Sequence, residues 1–307
     1  MAEHPDWAIL DEQGRQVRNN RHLAILCPAV PEVQAYMIDL TKRFIAEWGF
    51  DGHKLDNVYT VPPCYNLAHH HARPEESVEA LSEVYCLIFE TTRRLKPEGV
   101  TMISPCGSNP NVYLVPYADQ PMMSDPSGSW QARQRIKILQ ALLGPGAAIF
   151  ADHVELTDRG TDFASLIGPG GVPGTKFVWP DDPRVWARVS DEYYVLTEEK
   201  QAEWKRWLGL YRELMLPRGE YLNLYDAIYN EPEGHVIAKD GRLYCAFYTD
   251  QVGQRYEGPI VLLGLDVGRR YRLRNYESGQ ELGTVRGPAA QLRADFTSHI
   301  MLEAIPD

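Results

Sequence analysis

Basic charge is in short supply: 31 Lys and Arg face 42 Asp and Glu, a net charge of −11. Phosphate backbones are held by clustered Lys and Arg, so no nucleic-acid partner is expected. No apolar run approaches the ~20 residues of a membrane helix. The N-terminus, MAEHPDWAILDEQ, lacks the basic-then-apolar pattern of a secretory signal. No membrane partner and a cytoplasmic location are therefore expected. Cysteine is sparse, with five residues: Cys27, Cys64, Cys86, Cys106 and Cys245. Their number is odd, and no two are spaced as a zinc knuckle or a redox pair. They are expected as free thiols, with no metal bound. The Gly-rich run from Ile167 to Gly174 lacks both the Lys-Ser/Thr of a P-loop and the dinucleotide spacing. No cofactor is expected, and the run reads as a βα turn.

What is present is an ordinary core: 44% of residues are apolar. The first two-thirds alternate short apolar runs with amphipathic stretches. Strands are expected at Leu23–Leu26, Phe50–Asp56, Val100–Ile103, Met122–Asp125, Ala147–Phe150 and Lys176–Trp179. Helices are expected from Pro31 to Gly49, Glu75 to Leu95, Trp130 to Leu143 and Leu196 to Leu216. Pro31 and Glu32 suit a first turn, and Thr197 suits an N-cap. Strands alternating with helices imply parallel βα units, in a doubly wound sheet or a barrel. Acidic and polar residues at the strand C-terminal ends favour a (β/α)8 TIM-type barrel, whose site is built from those ends. Beyond Gly219 the texture changes to short strands with Gly and Asp turns. Asp240-Gly241 is a hairpin signal. The expected organisation is an α/β domain at 1–218 and an all-β antiparallel sandwich at 219–307.

Asp56 and Asp125 each end an apolar strand and precede a long loop, where a pair of catalytic carboxylates would sit. Lys54 lies two residues before Asp56, on the same strand face. Its ammonium would keep Asp56 ionised, as a nucleophile requires. Asp152, His153 and Glu155 stand at the next strand end, where His153 would orient a carboxylate or bind a hydroxyl. The run His69-His70-His71 reads as a loop on the pocket rim, because adjacent histidines do not easily converge on one ion. Trp48 and Trp130 read as core helix residues first and aromatic ligand platforms second.

In order, His4-Pro5-Asp6-Trp7, Pro31-Glu32-Val33, Lys54-Leu55-Asp56, Cys106-Gly107, Ser124-Asp125 with Gln131, Arg133, Arg135 and Ile136, the Gly170–Thr175 run and the Trp204 helix follow one pattern. It resembles glycoside hydrolase family 36, the melibiase-type α-galactosidases, from Pro5 to about Met215. The resemblance implies a (β/α)8 barrel followed by a β-sandwich. It implies Asp56 as nucleophile and Asp125 as general acid/base of a retaining hydrolase acting on terminal α-galactosides. Lys54 and Cys106 become sugar contacts, joined by the neighbouring Gly107, His53 and Asn57 and by His153.

Two departures qualify the transfer. The family's loop after its Cys ends in Arg-x-Asp, and here it reads Pro105-Cys106-Gly107-Ser108-Asn109-Pro110-Asn111. Substrate contacts there differ, so N-acetylgalactosamine, galactosamine or another axial-O4 sugar stands beside galactose. The family also has an N-terminal β-domain and two barrel strands ahead of the point where this sequence starts. Six strand candidates against the eight of a closed barrel imply an incomplete barrel. A homo-oligomer would cover its open edges. The alternatives are a truncated or pseudo-enzymatic sugar-binding protein and a transglycosidase of raffinose-synthase type.

Overall fold

A computed structural model of the 307-residue chain describes residues 4–56, 60–108, 111–145, 147–180, 192–226 and 231–307. It divides into two compact units, Met1–Gln120 and Pro121–Asp307.

The first unit opens as an antiparallel ribbon, with bridges joining Ala8 to Leu26, Leu10 to Gln16 and Arg18 to Ala24. The expected barrel strand at Leu23–Leu26 is thus part of a local meander. Side-chain turns cause this. Asp11 Oδ1 accepts from Gln13 N and Arg15 N, and Asn19 Oδ1 accepts from Arg21 N and Leu23 N. These turns reverse the chain twice within a few residues. Helix α1 (Pro31–Lys42) starts on Pro31 and passes into a π-helical segment, Arg43–Glu47. Strand β1 (Gly52–Leu55) follows, then α2 (Glu76–Leu95) and β2 (Val100–Ile103). Helix α2 has Glu76 and Glu79 in its first turn and Arg93 and Arg94 in its last, each complementing the helix dipole. It buries Ser77, Leu81, Val84, Ile88 and Thr91, an i, i+4, i+7 stripe. β1 and β2 pair in parallel. Gly52 is required there, since a Cβ would meet Val100 O at 2.0 Å. β3 (Gln120–Pro121) follows in sequence.

In the second unit, Met122 bridges Phe150 in parallel, and β4 (Phe150–Ala151) pairs in parallel with β5 (Val172–Pro173). β5 lies inside the Gly-rich run, which is therefore strand as well as turn. The expected Met122–Asp125 strand stops earlier, because Ser124 and Asp125 have φ of 60° and 29°. Lys176–Trp179 contributes one bridge, Val178 to Val195. α3 (Ser129–Leu143), α4 (Ala164–Ile167) and α5 (Glu198–Leu214) complete the helices used here. Thr197 Oγ1 caps α5 by accepting from Lys200 N. The buried residues of α5 are Trp207 and Leu214.

The strands β6 (Glu220–Leu222), β7 (Glu233–Lys239), β8 (Arg242–Tyr248), β9 (Arg255–Leu262), β10 (Arg270–Asn275), β11 (Glu281–Arg286), β12 (Ala290–Thr297) and β13 (His299–Pro306) follow. They form a six-stranded sheet, ordered β11-β10-β13-β8-β7-β6, and a two-stranded sheet, β12-β9. Both faces of β8 are buried. Tyr244, Ala246 and Tyr248 pack with Ile136, Leu139, Leu166 and Trp207. Leu243, Cys245 and Phe247 pack with Ile260, Leu262, Ala294 and Phe296. A strand covered on both sides needs apolar residues at nearly every position, as the run LYCAFY provides. Among the described residues no helix is long and apolar enough to cross a membrane.

Candidate active site

In the first unit, Lys54 lies opposite Met102 and Leu55 opposite Ile103. Ser104 N donates to Leu55 O at 2.9 Å, so Asp56 and Ser104 leave the sheet side by side. Cys106 and Gly107, with φ of 49° and 82°, turn the second chain just beyond. Lys54 and Asp56 line one cavity of about 410 Å3, walled by apolar groups such as Leu81, Val84, Tyr85 and Ile88. Leu55, between them, lines it as well. Lys54 and Asp56 are both exposed. β1 is the outer strand of its sheet among the described residues, which leaves that side open.

His53 points to the opposite face, as strand alternation requires. It sits 5.5 Å from Phe44, ring centre to ring centre, in a second cavity of about 360 Å3. Burial lowers its pKa, and its Nε2 has no partner among the described residues. His53 is therefore not among the residues lining the Asp56 cavity. Asn57 falls outside the described residues. Trp48 is 55% exposed and Trp130 47% exposed, so neither is the core residue first expected. Trp48 follows the π-helical segment and Trp130 lies in the first turn of α3.

In the second unit the parallel strand ends bring together Asp125, Asp152, His153, Glu155 and Lys176. His153 Nε2 lies 2.8 Å from Asp125 Oδ1 and 3.4 Å from Asp152 Oδ2, and it contacts Lys176 Nζ. His153 Nδ1 is 3.7 Å from Glu155 Oε2. Asp125 is 36% exposed, while His153, Asp152 and Glu155 are buried. Burial raises the pKa of Asp152. Its Oδ1 accepts from Ser124 N at 2.9 Å, and the Arg135 guanidinium donates to the carbonyls of Met123, Ser124 and Asp125. These bonds hold the turn that aims Asp125. Chemically, a ring nitrogen shared by an ammonium and a carboxylate can pass a proton between them.

Lys176 escaped the sequence reading because it sits in a run read as strand; its place at the end of β5 was the missing signal. Arg133 belongs elsewhere. It pairs with Glu233 in the core, away from the Asp125 turn. A second gathering lies in the first unit, where Cys27, Cys64, His69 and His71 converge. The pocket-rim reading of the histidines gives way to this. The left-handed backbone of His70, φ 58°, carries His69 and His71 to the same side.

No protein-family model matches the chain. It is 31% identical, over 317 aligned positions, to the A type blood α-D-galactosamine galactosaminidase of Flavonifractor plautii, with 99% of this chain and 27% of that protein covered. Its fold matches that of a family 36 α-galactosidase from Geobacillus stearothermophilus in complex with raffinose, at a TM-score of 0.70 and 14% identity, covering 100% of this chain and 42% of the other. It also matches an Anoxybacillus α-amylase, at a TM-score of 0.60 and 14% identity, covering 100% and 72%. The chain thus spans about a quarter of the curated relative and less than half of the galactosidase. The chain shares its fold with these structures, one of them a family 36 α-galactosidase, in line with the resemblance. A fold shared with an amylase does not choose a substrate.

Proposed function

We propose that this chain carries the catalytic machinery of a retaining α-galactoside hydrolase, with a terminal α-linked galactosamine as the preferred sugar. The observation that carries the reading is the placement of Asp56 and Asp125 at C-terminal ends of parallel strands, in a chain 31% identical to a galactosaminidase over 99% of its length. The absence of Arg-x-Asp after Cys106 implies sugar contacts unlike the family's, and the galactosaminidase relative supports galactosamine among the axial-O4 sugars. The acidic net charge also attracts a cationic amino sugar. In this reading residues 1–218 are an incomplete (β/α)8 barrel and 219–307 a β-sandwich. Asp56 attacks the anomeric carbon while Asp125 protonates the leaving oxygen. Asp125 then takes a proton from the water that releases the sugar. Lys54, Cys106 and Gly107 contact the sugar. His153, with Nε2 2.8 Å from Asp125 Oδ1, orients that carboxyl.

The test uses 4-nitrophenyl α-galactosaminide, α-N-acetylgalactosaminide and α-galactoside. The galactosaminide is expected to turn over fastest, and the sugar first released, observed by NMR, to be the α-anomer. Asp56→Asn should abolish turnover with the fold intact. Release of the β-anomer first, or full activity in Asp56→Asn, would refute the double displacement.

A further inference from the structure

The Cys27, Cys64, His69 and His71 cluster stands apart from the Asp56 and Asp125 chemistry. Its four ligand atoms all lie within 4.8 Å of one another. Cys64 Sγ is 3.3 Å from His69 Nδ1, and Cys27 Sγ is 3.8 Å from His71 Nε2. Around a tetrahedral zinc ion with Zn–S near 2.3 Å and Zn–N near 2.0 Å, ligand atoms stand about 3.3 to 3.8 Å apart. The cysteines are buried and carry no disulfide.

The surroundings are built for ligation as well. His69 Nε2 lies 2.6 Å from the carbonyl of Asp6. Asn66 Nδ2 also stands 3.0 Å from Nε2; the shorter contact to the carbonyl, an acceptor alone, places the proton on Nε2 and leaves the Nδ1 lone pair toward Cys64. A ligating histidine fixed through its other ring N–H by a carbonyl is a recurrent feature of metal sites. Local backbone then sets the spacing. Cys64 N donates to Pro74 O, Cys27 N donates to Trp7 O, and Asn66 caps the short turn Leu67–His69. The left-handed His70 reverses the chain so that the two flanking histidines converge while its own ring stays exposed.

We propose that Cys27, Cys64, His69 and His71 form a closed structural zinc site. Two thiolates and two neutral imidazoles fill four positions, which leaves none open for substrate. Binding releases the two thiol protons to solvent. The site ties the N-terminal ribbon to the irregular segment that follows β1. It shares Cys27 and Cys64 with a small core that also holds Ile9, Val30 and Val33, where apolar burial alone is limited. The same segment supplies Val61 to the cavity that Lys54 and Asp56 line, so ordering it shapes that cavity.

The test is metal analysis of the full chain, expressed without a histidine tag and purified under reducing conditions without chelator. About one zinc ion per chain is expected. A chelator-stripped sample titrated with Co2+ should develop the intense visible bands of a tetrahedral thiolate site and lose them when Zn2+ is added. Cys64→Ser and His71→Ala should lose most of the zinc, while His70→Ala keeps it. Because the Cys variant could misfold, the Co2+ titration of the unaltered chain stands as an independent measure. Three results would overturn the proposal: no zinc in the unaltered chain and no tetrahedral Co2+ spectrum; equal loss of zinc in His70→Ala and His71→Ala; or Cys27 and Cys64 found as a disulfide in the reduced preparation.

Discussion

Replacing Arg133 by Met should destabilise the second unit by about 3–5 kcal/mol, the cost of breaking a buried ion pair from one side. Arg133 is 2% exposed and Glu233 6%. The guanidinium donates to Glu233 Oε2 through Nε and Nη2, at 2.9 and 2.7 Å. Nη1 donates to Ser165 Oγ at 2.8 Å, and the group lies 4.4 Å from the centre of the Tyr248 ring. Glu233 Oε1 lies 2.7 Å from His235 Nε2 and accepts from Gln134 at 3.1 Å. Burial opposes the charge on Glu233, but the bonds from His235 and Arg133 hold its pKa at about 2 against the usual 4.5. A carboxyl held that far down represents about 3 kcal/mol of preference for the charged form, of the same order as the mutational cost. Methionine leaves that carboxylate buried with only His235 and Gln134. For a unit of this size the loss lowers the melting temperature by roughly 6–20 °C. Calorimetry and urea unfolding at pH 7 measure it, with Glu233→Gln and the double variant completing a cycle. The double variant should cost less than the two singles combined by about 0.5–3 kcal/mol. A loss under about 1 kcal/mol for Arg133→Met, or strict additivity, would refute the reasoning.

Stability should fall as pH drops below about 6.5. Burial lowers the pKa of His235, so the unfolded chain takes up that proton first; Glu233, held low when folded, adds a further loss from about 4.5 toward about 2. Asp152, raised by burial, has the opposite sign, so urea midpoints from pH 7.5 to 5 are best read in an Asp152→Asn background; a rise there contradicts the argument. Gly168→Ala should cost about 3 kcal/mol, because its Cβ would lie 2.0 Å from the Tyr248 hydroxyl, which donates to Ala164 O; an unchanged melting temperature would show that Tyr248 moves freely. Asp125→Asn should lower kcat by roughly 10² to 10⁴-fold without lowering the melting temperature, since asparagine tolerates a positive φ better. Loss of fold in parallel with loss of activity would assign Asp125 a structural role.

Much of the fold was readable where local chemistry and tertiary context agree. Asp240-Gly241 marks the β7–β8 hairpin, and both residues take the positive φ that such a turn needs. Thr197 caps α5 as expected. The apolar run of β8 reads as a strand because both its faces are covered. Other elements failed for identifiable reasons. β11 is almost wholly exposed, so no alternation marks it. β12 does alternate, with Ala290, Leu292, Ala294 and Phe296 turned toward the second core, and its pattern was passed over. At the sites, Asp125 and His153 were legible because each ends an apolar run. The cysteine and histidine cluster was not, because Cys27 and Cys64 are far apart in sequence and meet only after two side-chain turns fold the ribbon. Spacing rules detect ligands on one local element, and this set is assembled by tertiary structure.

The backbone at the strand ends of the second unit connects fold to chemistry. Ser124, Asp125 and His153 all have positive φ, at 60°, 29° and 65°. None is glycine, and left-handed or sparsely populated backbone costs about 1–3 kcal/mol per residue. Three such residues at neighbouring strand ends persist only if something holds them. Arg135 on three successive carbonyls and Asp152 on the Ser124 amide supply that hold. A polar cage around a strained turn is a poor solution for stability alone, since a glycine at any of the three positions would relieve the strain. It is a good solution for fixing a half-exposed carboxylate against a buried histidine. The energy stored in this turn is therefore better explained by the position of Asp125 than by the packing of the strands beneath it.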